Sequence, residues 1–185
     1  AAIRASPLKI HGHEMKTRTF AVKSCFNQAI EQDWRAQLAI LLGSKPRRLS
    51  SWCELALFGA LACIRKSAQA TLGSDVAIRV FSESGAMHAT KTAMAQAAEH
   101  LPMPFTFMQT QPGQVFNAIG SALDWHGDGY ATSGIDRRQG EIALLRDITQ
   151  SALLAWVDEL PQQVSNWIWL EEATPVSEPA WKIAD

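Results

Sequence analysis

The sequence lacks an excess of charge of either sign, and it contains few cysteines. Its 185 residues include 17 lysines and arginines against 18 aspartates and glutamates, which gives a formal net charge of -1. Nucleic-acid-binding domains are strongly basic, so this balance argues against a nucleic-acid partner. The three cysteines, Cys25, Cys53 and Cys63, are an odd number without paired spacing, and they predict free thiols in a reducing compartment.

Long hydrophobic runs and targeting signals are also missing. The longest apolar run, residues 55–64, is far shorter than the roughly 20 residues that span a bilayer. The first residues lack the charged and then apolar layout of a secretory signal. We therefore expect a cytoplasmic protein that does not insert into a membrane.

The composition is that of a folded domain with a core. Hydrophobic residues make up 47% of the chain and charged residues 19%. A chain of this length buries roughly two thirds of its unfolded surface in one core. We predict a single domain over residues 1–185, with an irregular arm at 1–16 and an irregular tail at 175–185. The low charged share indicates an additional buried face, such as an interface.

Apolar spacing and turn residues predict alternating helices and strands. Helices are predicted at residues 26–42, 51–66, 89–100, 114–125 and 137–160. Strands are predicted at residues 19–22, 76–81, 130–133 and 164–170, and a loop at 103–111. Gly43 is predicted to end the first helix, and a capping box of Ser51 and Glu54 to begin the second. The alternation is typical of the α/β class.

Two groups of polar residues have the residue types of a metal or acid–base site. His11 and His13 are only two ligands, whereas zinc takes three or four from the protein. Asp124, His126 and Asp128 alternate around an Asp-Gly pair, which is typical of a tight turn. We predict neither a metal nor a cofactor.

Nucleophile and anion sites are equally sparse. The turn at Ser84 lacks the glycine on both sides that a nucleophile elbow needs. Cys53 and Cys63 lie in the most apolar predicted helix and are interpreted as buried small hydrophobic residues. The basic run, residues 45–48, is interpreted as a solvated helix start, with a contact to a carrier protein or an anionic ligand as the alternative.

Several short segments occur in a fixed order along residues 47–175. They are Arg47-Arg48-Leu49-Ser50 before an apolar helix, Val80-Phe81-Ser82 with Gly85 and Thr90, residues 104–107, Val115 with Asn117-Ala118-Ile119, Ser133-Gly134 with Asp136, and a last strand ending in Glu171-Glu172. This order resembles the short β-ketoacyl-synthase-like, or chain-length-factor-like, proteins, which match the N-terminal half of a thiolase-fold condensing enzyme. The resemblance implies a thiolase-like half-fold, with a mixed sheet flanked by helices.

The resemblance also identifies which catalytic groups are missing. Condensing enzymes of this type carry a cysteine at a strand-to-helix corner, and the resemblance places Gly134 there. A histidine commonly precedes the asparagine, whereas Phe116 precedes Asn117 here. The two catalytic histidines belong to a second half that the resemblance does not cover. Ser133 remains as a candidate nucleophile without an identifiable base.

The function implied by the resemblance is assistance rather than catalysis. The protein would pair with a ketosynthase or an acyl-carrier protein, or with itself, in fatty-acid, polyketide or aryl-polyene-type chain assembly. Ligand or partner contacts are expected at Phe116, Asn117, Ser133, Gly134 and Asp136. Two alternatives stay open: an autonomous acyl-transfer enzyme using Ser133 or a cysteine, and a small-molecule binding module with its ligand near Asn117 and Asp136.

Overall fold

A six-stranded mixed sheet with helices packed against it forms the described part of the chain. The computed structural model describes residues 2–4, 19–67, 71–101, 103–134, 136, 138–140, 148 and 150–173. The strands are β1 (Ala2–Arg4), β2 (Thr19–Phe26), β3 (Val76–Ser82), β4 (Gly129–Ser133), β5 (Ser151–Asp158) and β6 (Val164–Glu172). The helices are α1 (Trp34–Leu42), α2 (Ser51–Lys66), α3 (Met87–Ala98), α4 (Pro104–Gln109) and α5 (Gln114–Leu123). The predicted α/β class is confirmed.

The strand order is β1-β2-β6-β5-β3-β4. β4, β3 and β5 run parallel to one another, whereas β6, β2 and β1 each join their neighbour in antiparallel pairing. Parallel strands are joined by helical crossovers, and their two faces are normally covered. The sheet is therefore mixed, as the resemblance implied, and its parallel strands share one carboxyl edge.

Helix α2 is the centre of the core. Eleven of its residues are buried, and it packs against β2, β5 and β6. The approach is close at Gly59, where an added Cβ would lie 2.4 Å from Trp167 Cδ1 and 2.2 Å from Ser165 Oγ. Only a residue without a side chain fits there. The helix predicted at residues 51–66 is confirmed at both ends.

The cap of α2 differs from the prediction by one residue. Ser50, and not Ser51, is the N-cap, and its Oγ accepts a hydrogen bond of 3.1 Å from the Cys53 backbone N–H. Ser51 and Glu54 instead accept hydrogen bonds from Arg35 of α1, at 2.6 Å and 3.0 Å. The predicted capping box is wrong, and its two side chains join α2 to α1.

The buried tryptophans are core residues whose indole N–H groups have partners. Trp167 Nε1 donates to Ser165 Oγ at 3.0 Å, and Trp169 Nε1 donates to Ser151 Oγ at 3.1 Å. Trp125 Nε1 donates to the Val76 carbonyl at 2.9 Å. Trp167 and Trp169 alternate with less buried residues along β6, so both point to one side of the sheet, as predicted, and that side packs against α2.

The helix predicted at residues 137–160 is wrong over its second half. Residues 138–140 are helical, but Ser151–Asp158 forms β5, a strand between β3 and β6. Seven of the eight residues of β5 are buried. A strand covered on both faces has a continuous apolar run, and this run cannot be told from a buried helix by spacing alone. Residues 141–147 and 149 lie outside the described residues.

Three further predictions need correction. The first helix begins at Trp34 rather than residue 26, because Phe26 completes β2; Gly43 ends it with a φ of 70°, as predicted. The predicted loop at 103–111 contains α4, which begins at a proline. Residues 2–4 of the predicted irregular arm form β1. The rest of the arm up to residue 16, and the tail at 175–185, lie outside the described residues.

Candidate functional site

The carboxyl ends of β3, β4 and β5 form the candidate site. Ser82 at the end of β3 lies opposite Ser133 at the end of β4, and Phe81 lies opposite Trp156 of β5. Ligands of open α/β sheets bind at the carboxyl ends of parallel strands. The polar residues that follow these three strands therefore have the position of a functional site.

The predicted strand-to-helix corner follows β4. The Gly134 N–H donates to the carbonyls of Ser82 and Glu83, both at 3.2 Å, which fixes the corner against the end of β3. Asp136 Oδ1 accepts a hydrogen bond of 3.0 Å from the Gln139 backbone N–H. Asp136 therefore caps the helix that includes residues 138–140. Its side chain has a structural task, in addition to any contact with a ligand or partner.

Gly134 has open space where a side chain would project. An added Cβ would meet no atom within 4 Å, yet its φ of +82° lies in the left-handed region. That region costs an ordinary residue about 1–2 kcal/mol. The backbone, rather than crowding, thus favours glycine at the corner.

Gly134→Ala is expected to lower the free energy of unfolding by about 1–2 kcal/mol through this backbone strain. Gly113 is the matched control, because an added Cβ there also meets nothing within 4 Å and no positive φ applies. Gly113→Ala should not lower the free energy of unfolding, because the Gly113 φ of -59° and ψ of -18° are right-handed helical values that alanine adopts without strain. Urea unfolding of both variants measures the difference; equal losses would contradict the strain at Gly134.

Ser133 has no base beside it in the described part of the chain. No hydrogen bond joins Ser133 Oγ to a histidine or carboxylate there, and a Cβ added at Gly85 would lie 3.5 Å from Ser133 Oγ. Cys25 is exposed on β2, and Cys53 and Cys63 are buried in α2, so none of the three free thiols lies at the corner. No activated nucleophile is assembled by these residues.

Burial raises the pKa of the Cys53 thiol from 9.0 to about 11, with Glu159 and Glu54 adding to the rise and Ser50 opposing it. Burial likewise raises the pKa of Cys63. A nucleophilic cysteine needs the opposite shift, toward the thiolate. Both residues are thus neutral, buried small side chains at physiological pH, as the sequence predicted.

The raised pKa of Cys53 predicts alkaline destabilisation. Between pH 9.0 and about 11 the unfolded thiol has lost its proton while the folded thiol keeps it, so stability falls as pH rises through this window, by about 2–3 kcal/mol. Urea unfolding at pH 8 and pH 11 should therefore show that the free energy of unfolding of the wild type falls toward that of Cys53→Ala as the pH rises. Leu57→Ala makes a cavity in the same helix without removing a titrating group, so its free energy of unfolding should differ from that of the wild type by the same amount at pH 8 and pH 11. If that difference also became smaller at pH 11, Cys53 would not be the cause.

Asp158 is the most connected polar residue at the edge, and sequence reasoning missed it. Although only 4% exposed, its Oδ1 accepts hydrogen bonds from Ser82 Oγ at 2.8 Å, Ser84 N at 2.9 Å and Ser84 Oγ at 2.9 Å. Its Oδ2 accepts one from Glu83 N at 3.3 Å. One carboxylate at the end of β5 therefore holds the turn that follows β3.

Ser82 extends this network into α2. Its Oγ accepts hydrogen bonds from the Gly85 N–H at 2.7 Å and from Trp52 Nε1 at 3.2 Å. Trp52 Nε1 also donates to the Val157 carbonyl at 3.0 Å. The Asp158 network, meaning Asp158, Ser82, Ser84 and Trp52, thus joins β3, β5 and α2.

Glu159 is the second acidic residue that the sequence analysis missed. It is 4% exposed, and its Oε2 accepts a hydrogen bond of 3.2 Å from the His88 backbone N–H in the first turn of α3. A carboxylate is favourable at this end of a helix. Its Oε1 has no hydrogen-bond partner among the described residues. Assignment of β5 as a strand would have identified Asp158 and Glu159 as edge residues.

Phe116 and Asn117 do not join the corner. The Phe116 ring lies 6.3 Å from the Trp125 ring and beneath Gly129, at the start of β4. Ser133 is four residues further along the strand, about 13 Å away at the usual strand rise. Asn117 is exposed on α5. The structure therefore divides the predicted contact residues into a pair on α5 and a corner group of Ser133, Gly134 and Asp136.

An exposed apolar surface lies on α3, α4 and their connection. Each of its residues is between 51% and 68% exposed, and we call them the α3–α4 surface: Met94, Leu101, Met103, Phe105, Phe107 and Met108. Single exposed apolar residues are ordinary in soluble proteins, whereas contiguous exposed apolar patches are typical of interaction sites. The methionines and phenylalanines near residues 103–111 are therefore surface residues and not core.

The turn around residues 124–129 is structural. Asp124, with a φ of 54°, caps the end of α5, and Asp128 forms an ion pair with the buried Arg79 of β3. The Arg79 guanidinium also lies 4.4 Å from the centre of the Tyr130 ring. No group of three or more metal-binding side chains occurs within the described residues. His11 and His13 lie outside them.

No helix in the described part of the chain is both long and apolar enough to cross a bilayer.

Comparison with known proteins shows similarity of structure rather than of sequence. No protein-family profile matches the sequence, and no curated protein matches it. A solved chain of the ketosynthase (ApeO) in complex with its chain length factor (ApeC) from Xenorhabdus doucetiae has 18% identity and a TM-score of 0.57, over 84% of this chain and 80% of that chain. A chain of the ishigamide ketosynthase/chain length factor has 12% identity and a TM-score of 0.55.

The second alignment covers 77% of this chain and 49% of that chain, so the present chain corresponds to about half of the ishigamide protein chain. Identities this low establish a shared architecture. The protein has the thiolase-like fold of ketosynthase and chain length factor structures, as its sequence segments implied.

Proposed function

We propose that the protein is a non-catalytic partner of a ketosynthase, acting like a chain length factor in fatty-acid, polyketide or aryl-polyene-type chain assembly. The observation that carries the proposal is the glycine at the strand-to-helix corner. A condensing enzyme of this fold needs a thiol there, and Gly134 has none, while Cys53 and Cys63 are buried elsewhere. Two proteins of the same fold are described as a ketosynthase with a chain length factor.

The edge strand β4 supports pairing with another chain. β4 is the last strand of the sheet and has one strand neighbour, β3, within the described residues. Edge strands are templates for addition of a strand from a partner. Because β4 leads directly into the corner at Gly134, a partner paired along β4 would lie next to the candidate site.

The α3–α4 surface supports pairing independently. Apolar side chains that stay more than half exposed are unfavourable in water, and their burial contributes about 25 cal/mol per Å² of apolar area. Phe and Met are enriched in the centres of protein interfaces, whereas Lys and Glu are depleted there. This composition favours a protein partner for the surface.

Acyl transfer by this chain alone has less support. Ser133 lacks a base in the described structure, and the raised pKa values of Cys53 and Cys63 oppose thiolate formation. The Asp158 network contains two serines, but their hydroxyls are hydrogen-bonded to a carboxylate that also binds backbone N–H groups. That arrangement fixes a turn, and we assign it a structural role.

Co-expression with a ketosynthase encoded beside this gene tests the proposal. We expect the two chains to elute together from size-exclusion chromatography at equal amounts, and the present chain to keep its mass after incubation with acyl thioesters. An acyl-carrier protein and the chain alone serve as parallel arms, which report a carrier complex or a homodimer. A chain that elutes alone in every arm contradicts pairing, and a covalent mass increase contradicts the non-catalytic role.

A further inference from the structure

Three of the chain's five methionines lie together on the α3–α4 surface. Met94 is 68% exposed on α3, and Met103 and Met108 are 53% and 51% exposed at the start and near the end of α4. The two helices pack against each other, and neither contains a buried residue. Met87, in the first turn of α3, is less exposed, and Met15 lies outside the described residues. The three thioethers of the surface are therefore open to small solutes.

The apolar character of this surface depends strongly on its methionines. Between Met87 and Gln109 the only charged side chains are those of Lys91 and Glu99. Methionines are three of the six side chains that define the α3–α4 surface, and the others are one leucine and two phenylalanines. A change in the polarity of the methionines would therefore alter half of the side chains that make this surface apolar.

A peroxide makes this change without help from another group of the protein. The thioether sulfur attacks one peroxide oxygen, the O–O bond breaks, and that oxygen forms the S=O bond while the other leaves as water. The sulfur loses two electrons, and the peroxide gains them. The sulfoxide is polar and disrupts methionine-rich interfaces until methionine sulfoxide reductases restore the thioether.

We propose that Met94, Met103 and Met108 form a reversible peroxide-oxidation site, which converts the α3–α4 surface from apolar to polar. The consequence for pairing rests on the function proposed above. A partner that covers the surface would shield the thioethers, so oxidation acts on the free chain. Sulfoxides formed beforehand should weaken pairing at least about tenfold, because their oxygens would be buried without hydrogen-bond donors.

Peptide mass spectrometry of the full chain after treatment with hydrogen peroxide tests the site without a partner. Met94, Met103 and Met108 should each gain one oxygen at least about threefold faster than Met87, the internal control on α3. ANS, a dye that binds exposed apolar surface, should bind the oxidised chain at least about threefold more weakly. The chain used throughout carries Cys25→Ser, because Cys25 is an exposed thiol that also reacts with peroxide.

A triple variant in the same background, Met94→Leu with Met103→Leu and Met108→Leu, is the matched control. Leucine keeps the volume and the apolar character of methionine and has no sulfur to oxidise. The dye binding of this variant, and its affinity for the proposed ketosynthase partner, should be the same before and after peroxide. In the chain that keeps the three methionines, both should fall after peroxide. Both should return after treatment with two methionine sulfoxide reductases, one for each sulfoxide epimer.

Three results on the chain alone would overturn the oxidation site. They are oxidation of Met87 as fast as that of the three exposed methionines, unchanged dye binding after the three sulfoxides form, and an equal loss of dye binding in the triple variant. Pairing gives a separate answer. If the untreated chain does not bind the ketosynthase, the function proposed above is wrong, while the oxidation rates and the dye still decide the site. If the treated and untreated chains bind equally well, oxidation does not control pairing.

Discussion

Replacing Asp158 by alanine is expected to lower the free energy of unfolding by about 3–5 kcal/mol. The carboxylate accepts four hydrogen bonds, from Ser82 Oγ, from the backbone of Glu83, and from the backbone and hydroxyl of Ser84. Its removal leaves these donors without a partner, and Ser82 is only 1% exposed, so water cannot take the place of the carboxylate there. Urea unfolding followed by tryptophan fluorescence measures the loss, since Trp52 belongs to the same network.

Two matched variants separate the network from a single contact. Ser84→Ala removes one hydroxyl that is half-buried, and its cost should be about 1 kcal/mol. Asp158→Asn keeps the side-chain volume but turns an amide N–H toward hydrogen-bond donors. Its loss of unfolding free energy should therefore lie between those of Ser84→Ala and Asp158→Ala. If Asp158→Ala costs no more than Ser84→Ala, Asp158 does not hold the ends of β3 and β5 together.

Replacing Phe107 by aspartate is expected to weaken association with the proposed ketosynthase partner at least about a hundredfold. Phe107 is 65% exposed on α4, so the change should leave the stability of the isolated chain almost unaltered. In a paired state the aspartate would place an unpaired charge in a desolvated interface. Sedimentation velocity or surface plasmon resonance on the purified complex measures the affinity.

Ile40 provides the control for this prediction. It is 76% exposed on α1, outside the α3–α4 surface, so Ile40→Asp makes the same type of change at a different place. Affinity for the ketosynthase should remain at the wild-type value. Equal weakening by both variants would show that the α3–α4 surface is not the pairing face.

The sequence predicted helices and strands best where one face of the element, or the whole element, is buried in the core. Helix α2 and the strands β3 and β6 were predicted within one or two residues, because their apolar patterns and bounding turn residues agree. The strand at residues 130–133 that leads into the corner was predicted as well, and the resemblance placed Gly134 at that corner. Local patterns of this kind need no knowledge of distant parts of the chain.

β5 could not be predicted in the same way, and as a result the site residues at its end were not recognised. Its apolar residues fit helical spacing as well as a buried strand, and only pairing with β3 and β6 decides between them. Asp158 and Glu159 were consequently placed inside a helix. Their contacts with Ser82 and His88 join residues that are 76 and 71 positions apart, and a single sequence does not reveal such contacts.

The separation of Phe116 and Asn117 from Ser133, Gly134 and Asp136 also could not be predicted, because it depends on the three-dimensional path of the chain. Phe116 and Ser133 lie close in sequence, and the sequence analysis treated them as one lining. β4 separates them, because Phe116 lies beneath its first residue and Ser133 is its last. The exposure of Phe105 and Phe107 could not be predicted either, since aromatic residues in a segment like 103–111 fit a core or an interface equally well.

The order of the strands sets the time at which this chain can fold on the ribosome. β2 is synthesised early, yet its inner neighbour is β6, and Phe20 lies opposite Glu172 in the finished sheet. α2 packs on the same two strands. Until residues 164–172 leave the exit tunnel, the most apolar helix lacks β6, the strand that joins β2 to β5 beneath it. Nascent chains that stop before β6 should therefore be substrates for chaperones, and the sheet should complete its folding only after β6 has been made.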